Sequence, residues 1–251
     1  MTEPRPAATV VLLRDHPDGL QTLMLRRAAT VGFFPLAWVF PGGRVDAADA
    51  QIPTRAAVPG LPEEARPAAV AAVRECLEES GVWLGEGTPP PGLRADLNER
   101  RATLLDAPAL VPDLSRLRLW SRWITPVLES RRYDTWFFLA RVPDDTAASP
   151  DQGEATHSAW LRPRDVLDQP DTYPLAPPTF RTLEQLLDYR TAAEALDAAL
   201  DRLVHPVCPR LDQSEDGTWE IVLPGDPTYP ADRPVDGPTR IRFEQGRWWS
   251  R

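Results

Sequence analysis

The chain has 251 residues, a net charge of −9 and a pI near 4.9. That balance excludes a surface built to coat nucleic acid, though not a small anionic substrate held through a cation. The sequence contains no Lys, which excludes Schiff-base catalysis and the phosphate-loop lysine.

Met1 to Ala8 lacks the basic-then-apolar order of a secretory leader, and no apolar run reaches membrane-spanning length. No membrane association is expected, and the cytoplasm is the expected location. Ala7 to Arg14 reads as a buried strand, His16 to Gly19 as a turn, and Leu20 to Arg27 as a returning strand. Phe33 to Phe40 is an aromatic approach expected to pack mainly in the core. Gly42-Gly43 then lets the backbone pass close to another group. Ala47 to Arg66 has little periodicity and reads as a surface loop.

A helix is expected to begin between Pro62 and Pro67, because proline is tolerated only in a first turn. Val70, Val73 and Leu77 form its apolar stripe, and Gly81 is placed to end it. Glu75, Glu78 and Glu79 stand at i, i+3 and i+4, so they share the opposite face. Three carboxylates one turn apart repel unless a cation joins them. An oxygen-only donor set favours Mg²⁺ or Mn²⁺ over zinc.

Residues 86–113 read as a helical insertion, with a proline run at 89–91 and a helical pattern over Leu93 to Asp106. Strands are expected at Leu117 to Thr125 and, centrally, at Tyr133 to Val142. Arg131 and Arg132 lie between them, facing either substrate phosphates or solvent. An acidic loop carrying Glu154 leads to a short strand at Ala159 to Arg162 and a helical turn from Pro163. Thr182 to Leu203 reads as one long or two short amphipathic helices. Strand-like pieces follow at Trp219 to Leu223 and Thr239 to Phe243. Neither the histidines nor Cys76 and Cys208 show metal-ligand or disulfide spacing.

The stretch from 43 to 82 resembles the Nudix box: Gly, five residues, Glu, seven residues, Arg-Glu-apolar-x-Glu-Glu-x-Gly-apolar. Gly43, Arg74, Glu75, Cys76, Glu78, Glu79, Gly81 and Val82 match. Asp49 replaces the first Glu, and 24 residues rather than seven separate it from Arg74, an insertion of 17 within the loop 50–66. Phe40-Pro-Gly-Gly-x-x-Asp46-x-x-Asp49, Trp123-Ile-Thr-Pro126, Arg132-Tyr-Asp-Thr135-x-Phe-Phe-Leu-Ala140, Glu154 and Trp160 are similar to the peroxisomal acyl-coenzyme A diphosphatase subgroup and its bacterial relatives.

The resemblance implies an α/β fold, a Nudix α/β/α sandwich with a mixed sheet. The Nudix hydrolase domain is then expected over 1–168, with a helical and strand extension over 169–251. It implies a metal-dependent hydrolase of a nucleoside diphosphate linked to another moiety, first coenzyme A or acyl-coenzyme A. The alternatives are ADP-ribose, NADH or another dinucleotide, or a non-catalytic nucleotide sensor. Glu75, Glu78, Glu79 and the Gly43 carbonyl would hold Mg²⁺ or Mn²⁺, and Arg74 would orient the glutamates. Glu78 or Glu154 would act as base, and Arg131 and Arg132 would meet substrate. A homodimer would be in keeping with the family.

Overall fold

The computed structural model describes residues 2–30, 34–214, 217–229, 235 and 237–251. Two strands form its centre. Arg5–Arg14 (β1) is apolar along most of its length, as a strand covered on both faces must be. Val10 and Leu12 enter one core, Val11 and Leu13 the other. The returning strand Gln21–Arg27 (β2) pairs antiparallel with the end of β1 (Leu13 opposite Thr22), and Trp38–Val39 (β3) pairs with β2. Gly42–Arg44 (β4) instead pairs with the start of β1, placing Gly43 opposite Ala8. Of the aromatic approach, Trp38 and Phe40 are core residues as expected and Phe34 is exposed; Phe33 lies outside the described residues.

The glutamate-bearing helix Arg66–Ser80 (α1) has Pro67 in its first turn and ends at Gly81, whose φ of +75° lets its N–H reach the Leu77 carbonyl. Residues 68–73 are all buried, so the helix is sunk into the protein beyond its apolar stripe. The segment before it is not a plain surface loop: Asp49, Ile52 and Val58 are buried. The 86–113 region is less helical than its pattern suggests. Gly85–Glu86 (β5) pairs with Val111–Pro112 (β6), and between them lies one short helix, Leu93–Asn98 (α2), followed by a single 3₁₀ turn.

Leu117–Ile124 (β7) runs antiparallel to Tyr133–Arg141 (β8), which lies parallel to β1 from Arg5–Tyr133 to Leu13–Arg141. Strand β8 is central, as its apolar content requires. Ala155–Leu161 (β9) pairs with β2 and begins four residues earlier than its apolar pattern indicates. After the helical turn Pro163–Leu167 (α3) come two helices, Pro177–Leu186 (α4) and Ala192–Leu200 (α5). Their break is built in: Thr191 and Glu194 form a capping box, and the Ala192 N–H donates to Asp15 Oδ1 at 2.7 Å.

Phe180, Leu183, Leu186, Ala192 and Ala195 fill the core on the face of the sheet away from α1. Residues beyond 168 therefore supply the second helical layer of the sandwich. Pro206–Val207 (β10) adds to β7. Arg210–Gln213 (β11), Trp219–Val222 (β12), Arg240–Glu244 (β13) and Arg247–Ser250 (β14) form a separate antiparallel sheet, seated by Ile241, Val222 and Leu223. No described helix is long and apolar enough to cross a membrane.

Candidate active site

A cavity of about 740 Å³ opens beside α1. The starts of β1 and β8 contribute Ala7 to Thr9, Tyr133 and Thr135, and β4 contributes Gly42 to Arg44. Into it face Glu75, Glu78 and Glu79 from α1, and Glu154 from the loop before β9. The helical spacing and the close pairing of β4 on β1 thus bring the glycines to the glutamates. A Cβ at Gly43 would run into the Glu75 carboxylate, and one at Gly42 into β1. The Gly42 N–H donates to Glu79 Oε2 at 2.8 Å.

Arg74 organises the acidic face from within. Its Nε and Nη2 grip both oxygens of Asp49 at 2.9 Å, and Nη2 also donates to the Arg44 carbonyl at 2.8 Å. Nη1 reaches Glu75 Oε1 at 2.9 Å and both Glu78 oxygens at 3.1 Å. Asp49 is 0% exposed and Arg74 5%. Asp49, one methylene shorter than the family's Glu, therefore still reaches the arginine across the insertion. It also accepts the Asp46 N–H at 2.8 Å, which sets its carboxylate in a 3₁₀ turn at 47–50.

Burial pushes Glu75 up to about 7, with Glu78 and Glu154 adding to the rise and Arg74 opposing it. Burial likewise raises Glu78 against the pull of Arg74. Glu79 is raised well above the carboxylate range by burial and by Glu75, with the Gly42 N–H opposing. Crowded carboxylates of this kind are a donor set for a hard divalent cation. Among the described residues no three acidic side chains are already drawn into a closed coordination shell, because Glu75 and Glu78 rest on Arg74.

A sign follows. A carboxyl whose pKa is higher folded than unfolded binds more protons when folded, so stability falls as pH rises from about 4.5 through 7. A divalent cation at these groups would remove that cost and expel the protons. Calorimetric titration of Mg²⁺ at pH 6.5, in two buffers of different ionisation enthalpy, is expected to show net proton release that shrinks toward pH 8.5. Buffer-independent heats would show that the glutamates do not take the ion.

Arg94, in the insertion, carries no sequence signal but holds the site together. Its guanidinium donates to the Glu78 and Glu79 carbonyls at 2.9 Å, capping the end of α1, and to Ser149 Oγ and O at 2.9 and 2.7 Å. Asn98 Nδ2 also reaches the Glu78 carbonyl at 3.2 Å. The insertion is thereby pinned to the helix carrying the glutamates and to the loop carrying Glu154. Arg94→Met is expected to cost about 2 kcal/mol in urea unfolding and to make the 143–154 loop more readily cleaved by protease. Arg94→Lys should not restore either property, since an ammonium lacks the fork that spans these acceptors. Unchanged stability and cleavage in both variants would remove Arg94 from this role.

Arg131 and Arg132 do not line the cavity. Arg132 donates instead to the Thr125 carbonyl at 3.0 Å and the Thr2 carbonyl at 2.9 Å, closing the connection between β7 and β8. Arg131 is exposed. The arginines that line the cavity are Arg27, Arg44, Arg74 and Arg100. Of these, Arg44 lies within the motif itself, between Gly43 and Asp49, while Arg100 lies in the insertion.

The NUDT19 Nudix domain matches residues 54–186, from the loop before α1 to the end of α4. The acyl-coenzyme A diphosphatase NUDT19 of Homo sapiens is 28% identical, over 90% of this chain and 76% of its own. The putative nudix hydrolase 7 of Caenorhabditis elegans is 29% identical, over 94% of this chain and 78% of its own. A NUDIX hydrolase from Alicyclobacillus acidocaldarius superposes with a TM-score of 0.71 at 32% identity, over 78% of this chain and 97% of that one.

Proposed function

The chain belongs to the Nudix hydrolases, in the branch of the NUDT19 Nudix domain, and from that membership we propose that it cleaves the diphosphate of coenzyme A or an acyl-coenzyme A. One observation carries the reading: the complete Arg74, Glu75, Glu78, Glu79 set faces a single cavity with Gly43 and Glu154. The cavity's size suits a nucleotide conjugate. The relatives named as acyl-coenzyme A diphosphatases support the substrate.

Hydrolysis forms a bond from water oxygen to one phosphorus and breaks the anhydride P–O bond. With coenzyme A it leaves adenosine 3′,5′-bisphosphate and phosphopantetheine. Glu75, Glu78, Glu79 and the Gly43 backbone would hold Mg²⁺ or Mn²⁺, whose charge neutralises the diphosphate and acidifies the attacking water. Arg74 orients Glu75 and Glu78 through charge-assisted hydrogen bonds and is itself held by Asp49. The base is the carboxylate that still has open oxygens. Both oxygens of Glu78 accept from Arg74, whereas the Glu154 side chain has no partner among the described residues and stands near Glu75 and Glu79. Of the two candidates, Glu78 and Glu154, the open side chain of Glu154 supports it as the group that takes the water proton. Its loop is shaped for this by Asp151, whose carboxylate accepts the Glu154 and Ala155 N–H groups at 2.9 and 2.8 Å.

The test is a panel of coenzyme A, acyl-coenzyme A species, ADP-ribose, NADH and dinucleotides, each with Mg²⁺ and with Mn²⁺. The highest kcat/KM is expected on a coenzyme A species. Higher turnover of ADP-ribose or a dinucleotide would reassign the substrate, and binding without any product would make the chain a sensor.

A further inference from the structure

Four arginines line the cavity beside seven carboxylates, and two of the four are not engaged by the acidic set. Arg74 is saturated by Asp49, Glu75, Glu78 and the Arg44 carbonyl, and Arg27 acts on Glu79. Arg44 and Arg100 remain. Both line the cavity and both are exposed, and neither guanidinium has a hydrogen bond or ion pair to any described residue.

The backbone at Arg100 is unusual. Its φ is +57°, in the left-handed region that a non-glycine residue enters at a cost of about 1 kcal/mol or more. The conformation is imposed by its surroundings. The Arg100 N–H donates to the Leu97 carbonyl at 2.9 Å and the Arg101 N–H to the Asp96 carbonyl at 2.8 Å, closing the turn. Arg94 and Asn98 anchor that turn to the end of the Nudix helix. The two backbone bonds are the Schellman ending of α2, with Arg100 as its left-handed residue, and the turn leaves the Arg100 side chain lining the cavity.

We propose that Arg44 and Arg100 form a second anion subsite, which takes a phosphomonoester on the nucleotide half of the substrate while the diphosphate lies at the glutamates. The inference rests on the diphosphatase reading and extends it to substrate choice. A phosphomonoester carries roughly −1.5 to −2 charge at pH 7, more than either phosphorus of a diphosphate diester, and planar guanidinium forks match its oxygens. The subsite would thus distinguish a nucleotide with a 3′-phosphate from one without it.

Equilibrium binding tests this without turnover. Calorimetry on the chelator-treated full chain compares adenosine 3′,5′-bisphosphate with adenosine 5′-monophosphate. The wild type is expected to favour the bisphosphate by about tenfold to hundredfold, the worth of one charge-assisted contact. Arg100→Gln and Arg44→Gln should each shrink that ratio at least fivefold, leaving the monophosphate within twofold of wild type. Arg100→Lys, which keeps the charge, should retain part of the preference. An equal fall for both ligands would mean that the arginines merely offset the cavity's carboxylates, and would overturn the proposal. So would a wild type without preference, or a ratio that neither substitution moves. Failure of the diphosphatase reading is seen separately, as absence of product from every substrate in the panel.

Discussion

Glu154→Gln is expected to lower kcat by about 10²- to 10⁴-fold, the usual contribution of a positioned general base, with cation affinity close to wild type. The amide cannot accept the proton from water, yet it preserves the size of an exposed side chain whose loop is shaped by Asp151. Glu78→Gln has a different expected signature. Glu78 sits on Arg74 and in the crowded acidic set, so its loss should weaken the cation first, and part of the lost activity should return at high Mg²⁺. Single-turnover rates at saturating cation, beside calorimetric Mg²⁺ affinities, separate the two. If Glu154→Gln retains activity within fivefold and Glu78→Gln stays inactive at saturating cation, Glu78 is the base.

That assignment depends on a side chain's freedom, which no sequence pattern displays. Glu75, Glu78 and Glu79 were legible because helical geometry alone puts i, i+3 and i+4 on one face, and Pro67 and Gly81 mark where the helix begins and ends. The glycine pair was legible because a close approach needs it, although that the approach is to Glu75 emerges only from the pairing of β4 on β1. The acidic loop pointed to Glu154 only as one carboxylate among several.

Other features depend on contacts between distant segments. The insertion's leucine pattern predicts a longer helix than the six residues of α2, and it says nothing of Arg94 reaching carbonyls on another helix. Arg132 follows a strand connection where a phosphate contact is plausible by sequence, but carbonyls left open at Thr125 and Thr2 lie closer to it. The start of β9 at Ala155 is set by backbone pairing with β2, so its exposed Thr156 and His157 give no apolar alternation to read. The apolar residues of α4 and α5 show amphipathic helices, while their place as the second layer of the sandwich depends on which sheet face α1 leaves uncovered.

Asp49→Ala is expected to destabilise the protein by about 3–5 kcal/mol, because it removes one partner of a buried, bidentate ion pair and leaves the other. Arg74 would retain Glu75, Glu78 and the Arg44 carbonyl, but its Nε would lose its partner inside the protein. Asp49→Asn keeps the shape, yet its amide nitrogen would face the guanidinium, so a loss nearer the lower end of that range is expected. Asp49→Glu restores the residue type of the family's box at a fully buried position already fitted to the shorter side chain. Its extra methylene should cost about 1–3 kcal/mol by overpacking, while the ion pair survives. The expected order of stability in urea unfolding is therefore wild type, Asp49→Glu, Asp49→Asn, Asp49→Ala. Activity should follow the same order, since Arg74 positions the two glutamates it touches. An Asp49→Ala protein within 1 kcal/mol of wild type would show that the glutamates alone hold Arg74, and that the long loop from 50 to 66 frees the box from its first acidic residue.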